Sequence, residues 1–245
     1  MRLPVREAIA VVVLIALGYA TALIMRNPVV PFPHTVFANF FRHDAALFLH
    51  HFFASLVRIL YALGIAIVVA VPVGILLGRI RVFYELTSPL IYLVYPVPKI
   101  VFLPVIIILL GLGNLSKVFI IALIVFFQIL VSTRDAAKAI GDEEILSVRS
   151  MGGTRRHILR YVILPSILPG MFTSLRIAIG TCVAVLFFTE SFATEEGLGY
   201  LIIDAWSKFD YVLMYDGIIL MGTLGLMLYI VLSVLERRLC RWMFV

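Results

Sequence analysis

A chain of 245 residues that is 63% hydrophobic and only 14% charged, with a mean hydropathy of +1.12, lies far outside the composition of soluble globular proteins. The net charge is +6, but the basic residues sit at the ends of apolar runs rather than on one polar face. Charge here reports membrane topology and excludes a nucleic-acid surface. The apolar runs are long, continuous and not alternating, which specifies spanning helices rather than a barrel and an all-α, polytopic fold.

The first run, Ala8 to Met25, follows Arg2 and Arg6 and is long enough to span. Ala20-Thr21-Ala22 also has the form of a signal-peptidase site, so the run is either a retained first helix or a cleaved signal. Asn27 to Asp44, with Pro28, Pro31 and Pro33, reads as a loop. Ala45 to Arg58 is a mixed segment whose His50 and His51 point about 100° apart on a helix, so they take a headgroup or capping role rather than share a metal. The second span, Ile59 to Gly78, repeats Ala62, Ala66, Ala70, Gly74 and Gly78, a small-residue row for close helix approach, and Pro72 predicts a kink in it. Leu86 to Leu110 is broken by Pro96, Pro98 and Lys99. Freed backbone and an intramembrane charge make this break a translocation-path candidate, against a lysine that merely snorkels from a kink.

Ser116 to Val131 returns as a fourth span containing Gln128, read as interhelical glue or a path residue. A long polar interval follows. In it Asp142 is placed to cap a helix through Met151, Gly152-Gly153 to turn left-handed, Thr154 to cap a second helix, and Pro165 to close it. The first helix leaves Leu146, Val148 and Met151 without cover, which implies a docking surface. The second sets Ile158, Leu159, Val162 and Ile163 against Arg155, Arg156 and Arg160. The fifth span, Met171 to Phe192, holds Arg176 and Glu190 fourteen positions apart, near one azimuth but roughly 20 Å separated, so they cannot pair with each other. An outer segment, Ala193 to Tyr211, precedes the last span, Val212 to Leu235. The sum is about six helices with both termini cytoplasmic, because Arg79, Arg81, Arg134, Lys138, Arg149, Arg155, Arg156, Arg160, Arg237, Arg238 and Arg241 then fall inside.

Gly152, followed at fixed distance by Leu164-Pro165, resembles the cytoplasmic loop motif of bacterial ABC importer permeases. PLIYLVYPVP (89–98), LPVIIILLGLGNLSKVFIIAL (103–123) and LPGMFTSLRIAIG (168–180) are similar to the nitrate/sulfonate/taurine branch of that family from about residue 45 onward. Two departures stand out. The family's Glu-Ala-Ala is replaced by Leu146-Ser147-Val148, and Gln128 stands where the family commonly has proline. The resemblance implies one permease domain over 1–245 with the type I ABC importer permease fold, a family core over 45–245 and a coupling loop over 133–168. It implies that Leu146, Ser147, Val148, Met151, Gly152, Gly153, Thr154, Arg155 and Pro165 engage an ATPase. Pro96, Pro98, Lys99, Gln128, Arg176 and Glu190 are the translocation-path candidates. The implied partners are two cytoplasmic ATPase subunits, a second copy of the chain in a homodimer, an extracytoplasmic solute-binding protein and the lipid bilayer of a bacterial inner membrane. The implied solute is a small oxyanion or sulfonate, with a vitamin precursor as the alternative.

The chain's own chemistry agrees with a transport subunit. Gly217 to Thr223 has a G-x4-G frame, but Thr223 stands where a phosphate-binding lysine is required, so ATP and Mg belong to the partner subunits and this chain binds no cofactor. No HExxH or pair of deep aspartates provides an intramembrane protease. Only Glu190 offers a carboxylate toward an ion-coupled carrier, the weaker alternative. Cys182 and Cys240 lack metal-ligand spacing and are packing residues, and no metal site is expected.

Overall fold

The computed structural model describes residues 3–42, 45–192 and 194–243, and side chains from residue 9 onward. Arg2, Asp44 and Ala193, and the side chain of Arg6, lie outside the described residues. Every element among the described residues is helical. In order these are α1 (Leu3–Met25), α2 (Pro33–Arg42), α3 (Ala45–Arg79), α4 (Arg81–Val94), α5 (Leu103–Leu110), α6 (Asn114–Ala139), α7 (Asp142–Ser150), α8 (Arg155–Ile158), α9 (Leu164–Glu190), α10 (Leu198–Ser207) and α11 (Tyr211–Leu239). Single turns of 3-10 helix lie at Lys99–Phe102 and Arg241–Met243, and a π-helical turn at Leu159–Ile163.

Four helices are long and apolar enough to cross a membrane: Ala45–Arg79, Asn114–Ala139, Arg155–Glu190 and Tyr211–Leu239. The pair Arg81–Val94 and Lys99–Leu110 is apolar enough together but bent by 77°, the geometry of a broken span or a re-entrant loop. The part of α1 whose side chains are described, Ile9–Met25, is apolar but shorter than these spans. Its Val11, Val12, Val13, Leu14 and Leu17 are exposed, and among its described side chains Ala22 is the buried one.

Three sequence expectations are corrected here. Asn27 to Asp44 is not loop throughout: Pro33, whose fixed φ suits a first helical turn, opens the ten-residue helix α2. Ala45 to Arg58 is no separate segment: α3 runs unbroken for 35 residues, through Pro72, so its first turns extend beyond the roughly 30 Å hydrocarbon layer. Pro165 does not close a helix either, since Arg155 to Glu190 is one continuous helical run. The π turn at Leu159–Ile163 supplies the reason. Proline lacks an N–H and crowds the carbonyl four residues back, and a widened turn just before it absorbs both defects without ending the helix.

The chain forms two compact units, Met1–Ser55 with Glu190–Thr223, and Leu56–Thr189 with Leu224–Val245. In the second, the small-residue row of α3 is its contact with α6. A Cβ on Gly74 would meet the Thr133 Cβ at 2.8 Å, and one on Gly78 would meet the Ala137 Cβ at 2.8 Å, while Ala62, Ala66 and Ala70 are fully buried. Cys182 and Cys240 are buried, free thiols.

Candidate functional site

The polar interval between α6 and α9, the expected docking loop, is built on a small core of its own. Ile145 of α7, Ile158, and Val162 and Ile163 of the π turn pack with Ala137, Ile140 and Ile167. The loop's start is pinned by Arg79, whose Nη1 donates to the carbonyls of Ile140 (2.9 Å) and Ala137 (3.3 Å) and whose Nη2 lies 3.7 Å from Asp142. Asp142 is thus not the cap expected of it. It is the first residue of α7 and, with Glu143 and Glu144, faces the positive end of the helix dipole. Ser147 Oγ donates to the Glu143 carbonyl at 2.9 Å.

The corner forms as the sequence requires. Gly152 adopts φ +79°, the Gly152 N–H donates to the Arg149 carbonyl and the Gly153 N–H to the Val148 carbonyl, each at 2.9 Å, which is a Schellman close. Thr154 then caps α8 reciprocally with His157, its N–H donating to Nδ1 at 3.2 Å.

Exposure separates the loop residues. Leu146 is 57% and Met151 78% exposed, whereas Val148 is half-buried against the loop core and so tightly against Gly153 that a Cβ there would lie 2.5 Å from it. Val148 is thus partly covered by the loop core, not left without cover as the sequence suggested. Ile145, three residues earlier, was missed, although its spacing from Val148 is the i, i+3 signature of one helix face. Leu159 is exposed, and Arg155, Arg156 and Arg160 have no ion pair among the described residues.

The break in the span brings three path candidates together. α4 ends at Val94, Pro96 and Pro98 cannot donate, and the last carbonyls are left without helical partners. Lys99 fills the gap: its Nζ donates to Val94 (3.1 Å), Tyr95 (3.0 Å) and Val97 (3.2 Å), and it lies 4.6 Å from the Phe127 ring centroid. Lys99 is a cationic cap on a helix C-terminus. Beside it opens a cavity of about 300 Å³ lined by Tyr95, Val97, Pro98, Lys99, Ile100, Ile124, Phe127, Gln128 and Val185. Gln128 Nε2 donates to Thr181 Oγ1 at 3.1 Å, and its Oε1 is buried without a partner among the described residues. Pro96 lies in the break but not on the cavity wall.

The other two candidates lie elsewhere. Arg176 forms a two-pronged pair with Glu236 of α11 at 2.9 and 3.2 Å and reaches Thr173 at 3.3 Å. Glu236, read only as part of a terminal charge cluster, is 6% exposed. Glu190, 1% exposed, accepts from Ser55 Oγ (2.8 and 2.9 Å) and from the Gly199 N–H (2.9 Å). Ser55 Oγ accepts the Leu198 N–H at 2.8 Å and His51 Nδ1 the Gly197 N–H at 3.1 Å. Three side chains thus satisfy the first free N–H groups of α10.

Residues 70–241 match the family model "Binding-protein-dependent transport system inner membrane component". The taurine transport system permease protein TauC of Escherichia coli is 34% identical over 199 residues, covering 81% of this chain and 72% of TauC. The formylaminopyrimidine transport permease protein ThiX of Halalkalibacterium halodurans is 29% identical over 195 residues, covering 78% of each chain. Among solved structures, an inward-facing MetNI methionine ABC transporter matches with a TM-score of 0.68 at 21% identity, covering 80% of this chain and 97% of that one. The fold is that of an ABC importer permease, and ATP hydrolysis is the work of a separate subunit. The chain belongs to the family of binding-protein-dependent transport system inner membrane components: it is the permease subunit of an ABC importer, working with an ATPase and a binding protein.

Proposed function

We propose that this permease imports a small anion, a sulfonate or comparable oxyanion delivered by its binding protein, and that the break at Lys99 is where the solute passes. The observation that carries this is a fixed ammonium at the wall of a 300 Å³ cavity inside a span. All three Lys99 N–H groups are taken by main-chain carbonyls, so it contributes charge rather than a movable hydrogen bond. In a low-dielectric setting such a charge acts strongly on an anion a few ångströms away. The similarity to the taurine permease points the same way.

The second reading, a vitamin precursor, is favoured by Gln128. Its orphan Oε1 accepts a donor that nitrate lacks and a formylaminopyrimidine, the solute named for ThiX, possesses. Family membership displaces the ion-coupled carrier as an alternative.

In this reading two copies of the chain sit on two cytoplasmic ATPases, which bind ATP and Mg, with both termini and the docking loop inside. Leu146 and Met151 insert into the ATPase surface while Ser147, Gly152, Gly153, Thr154, Arg155 and Pro165 shape and flank that contact. Closure of the ATPases on nucleotide pulls the loop, and the continuous helix from Arg155 to Glu190 carries the motion into the membrane. Arg176 and Glu190 hold helix ends in place rather than touch solute.

The test is uptake in proteoliposomes holding permease, ATPase and binding protein. Lys99→Gln is expected to lower sulfonate uptake about tenfold or more while Lys99→Arg retains most of it. Unchanged sulfonate uptake by Lys99→Gln overturns the assignment, and uptake of a formylaminopyrimidine but no anion establishes the second reading.

A further inference from the structure

Near the docking loop, α4 and α6 hold a group of cations that neither the loop nor the cavity uses. Arg134 is 3% exposed; its Nε and Nη2 each lie 2.8 Å from the same oxygen, Oδ1 of Asp135, and its Nη1 is buried without a partner among the described residues. The Arg134 guanidinium carbon is 5.4 Å from the Tyr84 ring centroid. Lys138, one turn further on α6, places Nζ 3.7 Å from the same centroid.

Two cations thus share one ring and one carboxylate, and Lys138 makes no ion pair among the described residues. Ser88, one turn beyond Tyr84 on α4, is also buried; its Oγ faces the Tyr84 side chain and makes no hydrogen bond within 3.5 Å among the described residues. A buried guanidinium N–H without an acceptor is an arrangement proteins seldom keep unless something completes it. Asp135 is 56% exposed, so its carboxylate has solvent on its outer side. Beside the cluster, α4 exposes Phe83, Leu86 and Leu90, an apolar row at spacings of three and four.

We propose that this cluster binds the phosphate oxyanion of an anionic phospholipid. Lys138 meets the phosphate at the surface, Arg134 takes it in place of Asp135 with the Ser88 hydroxyl behind, and an acyl chain lies along Leu86 and Leu90. One excess positive charge matches one phosphodiester, and a planar guanidinium suits two of its oxygens at once. A free oxyanion shares the headgroup chemistry but has no use for the apolar row, which is why a lipid is the occupant. The assignment is independent of which solute the permease carries.

The experiment is native mass spectrometry of the delipidated permease with its ATPase, titrated with phosphatidylglycerol, with phosphatidylcholine as headgroup control and inorganic phosphate as the free-anion probe. Arg134 is buried and its replacement risks misfolding, so the exposed Lys138 carries the test, with Arg241→Gln as the removal of a cation that takes no part in the cluster's contacts. Phosphatidylglycerol is expected to bind in preference to phosphatidylcholine, and Lys138→Gln to weaken it about fivefold where Arg241→Gln leaves it unchanged. Equal binding by wild type and Lys138→Gln overturns the proposal. So does displacement of the lipid by millimolar inorganic phosphate with no preference among headgroups, the result of a free-anion site.

Discussion

Val148 and Met151 differ by three positions and by role, and the difference is testable one side chain at a time. Met151 is 78% exposed and Val148 packs against the loop core. Met151→Asp is expected to leave folding and insertion intact and to abolish co-purification of the ATPase. Val148→Asp places a carboxylate in an apolar cluster, costs about 2–4 kcal/mol and lowers the melting temperature of the purified permease. A Val148→Asp protein as stable as wild type would show that the side chain is not in the core. A second residue-scale test concerns Gly197, at φ +115° against the Glu190 carboxylate. Gly197→Ala adds backbone strain and a clash, and is expected to cost about 2 kcal/mol or more and to shift the thermal unfolding of the detergent-solubilised protein accordingly. At this scale the sequence was least informative. Glu190 reads as an isolated intramembrane charge because its partners, Ser55 and the Gly199 N–H, are 135 and 9 residues away along the chain. Arg176 likewise meets Glu236 only across 60 residues.

Helices and turns were far more legible, because their signals are local. The apolar runs, the proline-broken span and the Gly152-Gly153 corner all depend on neighbours within a turn or two, and each forms where the residues place it. What went wrong at this scale was punctuation. Pro165 was read as a stop, but a proline ends a helix only if nothing restores what it removes, and a π turn before Pro165 does that. The corner offers the element-scale prediction. A Cβ on Gly152 meets nothing, so any loss on substitution comes from its left-handed backbone rather than from crowding. Gly152→Asn, which tolerates that conformation, is expected to keep most ATP-driven uptake, while Gly152→Val and Gly152→Arg insert normally and lose it. Wild-type uptake in Gly152→Arg would remove the corner from the coupling mechanism.

For the whole molecule, the proposed function puts the docking loop and the Lys99 cavity on different links of one causal chain, the loop transmitting nucleotide-driven closure and the cavity meeting the solute, so their mutants must fail differently. Composition and the run of spans made a polytopic membrane protein legible and the motif resemblance its transporter class, while the proposed division of labour rests on exposure at Leu146 and Met151 and on the cap Lys99 makes beside its cavity. In the reconstituted complex, Leu146→Asp with Met151→Asp is expected to eliminate both uptake and the ATPase stimulation given by loaded binding protein. Lys99→Gln is expected to lower uptake while stimulated ATPase activity persists, because closure does not require a solute held at the break. Paired measurement of uptake and hydrolysis in the same vesicles separates the two. If Lys99→Gln loses stimulated hydrolysis in proportion to uptake, the lysine acts in the conformational switch itself and the cavity is not a separate stage of transport.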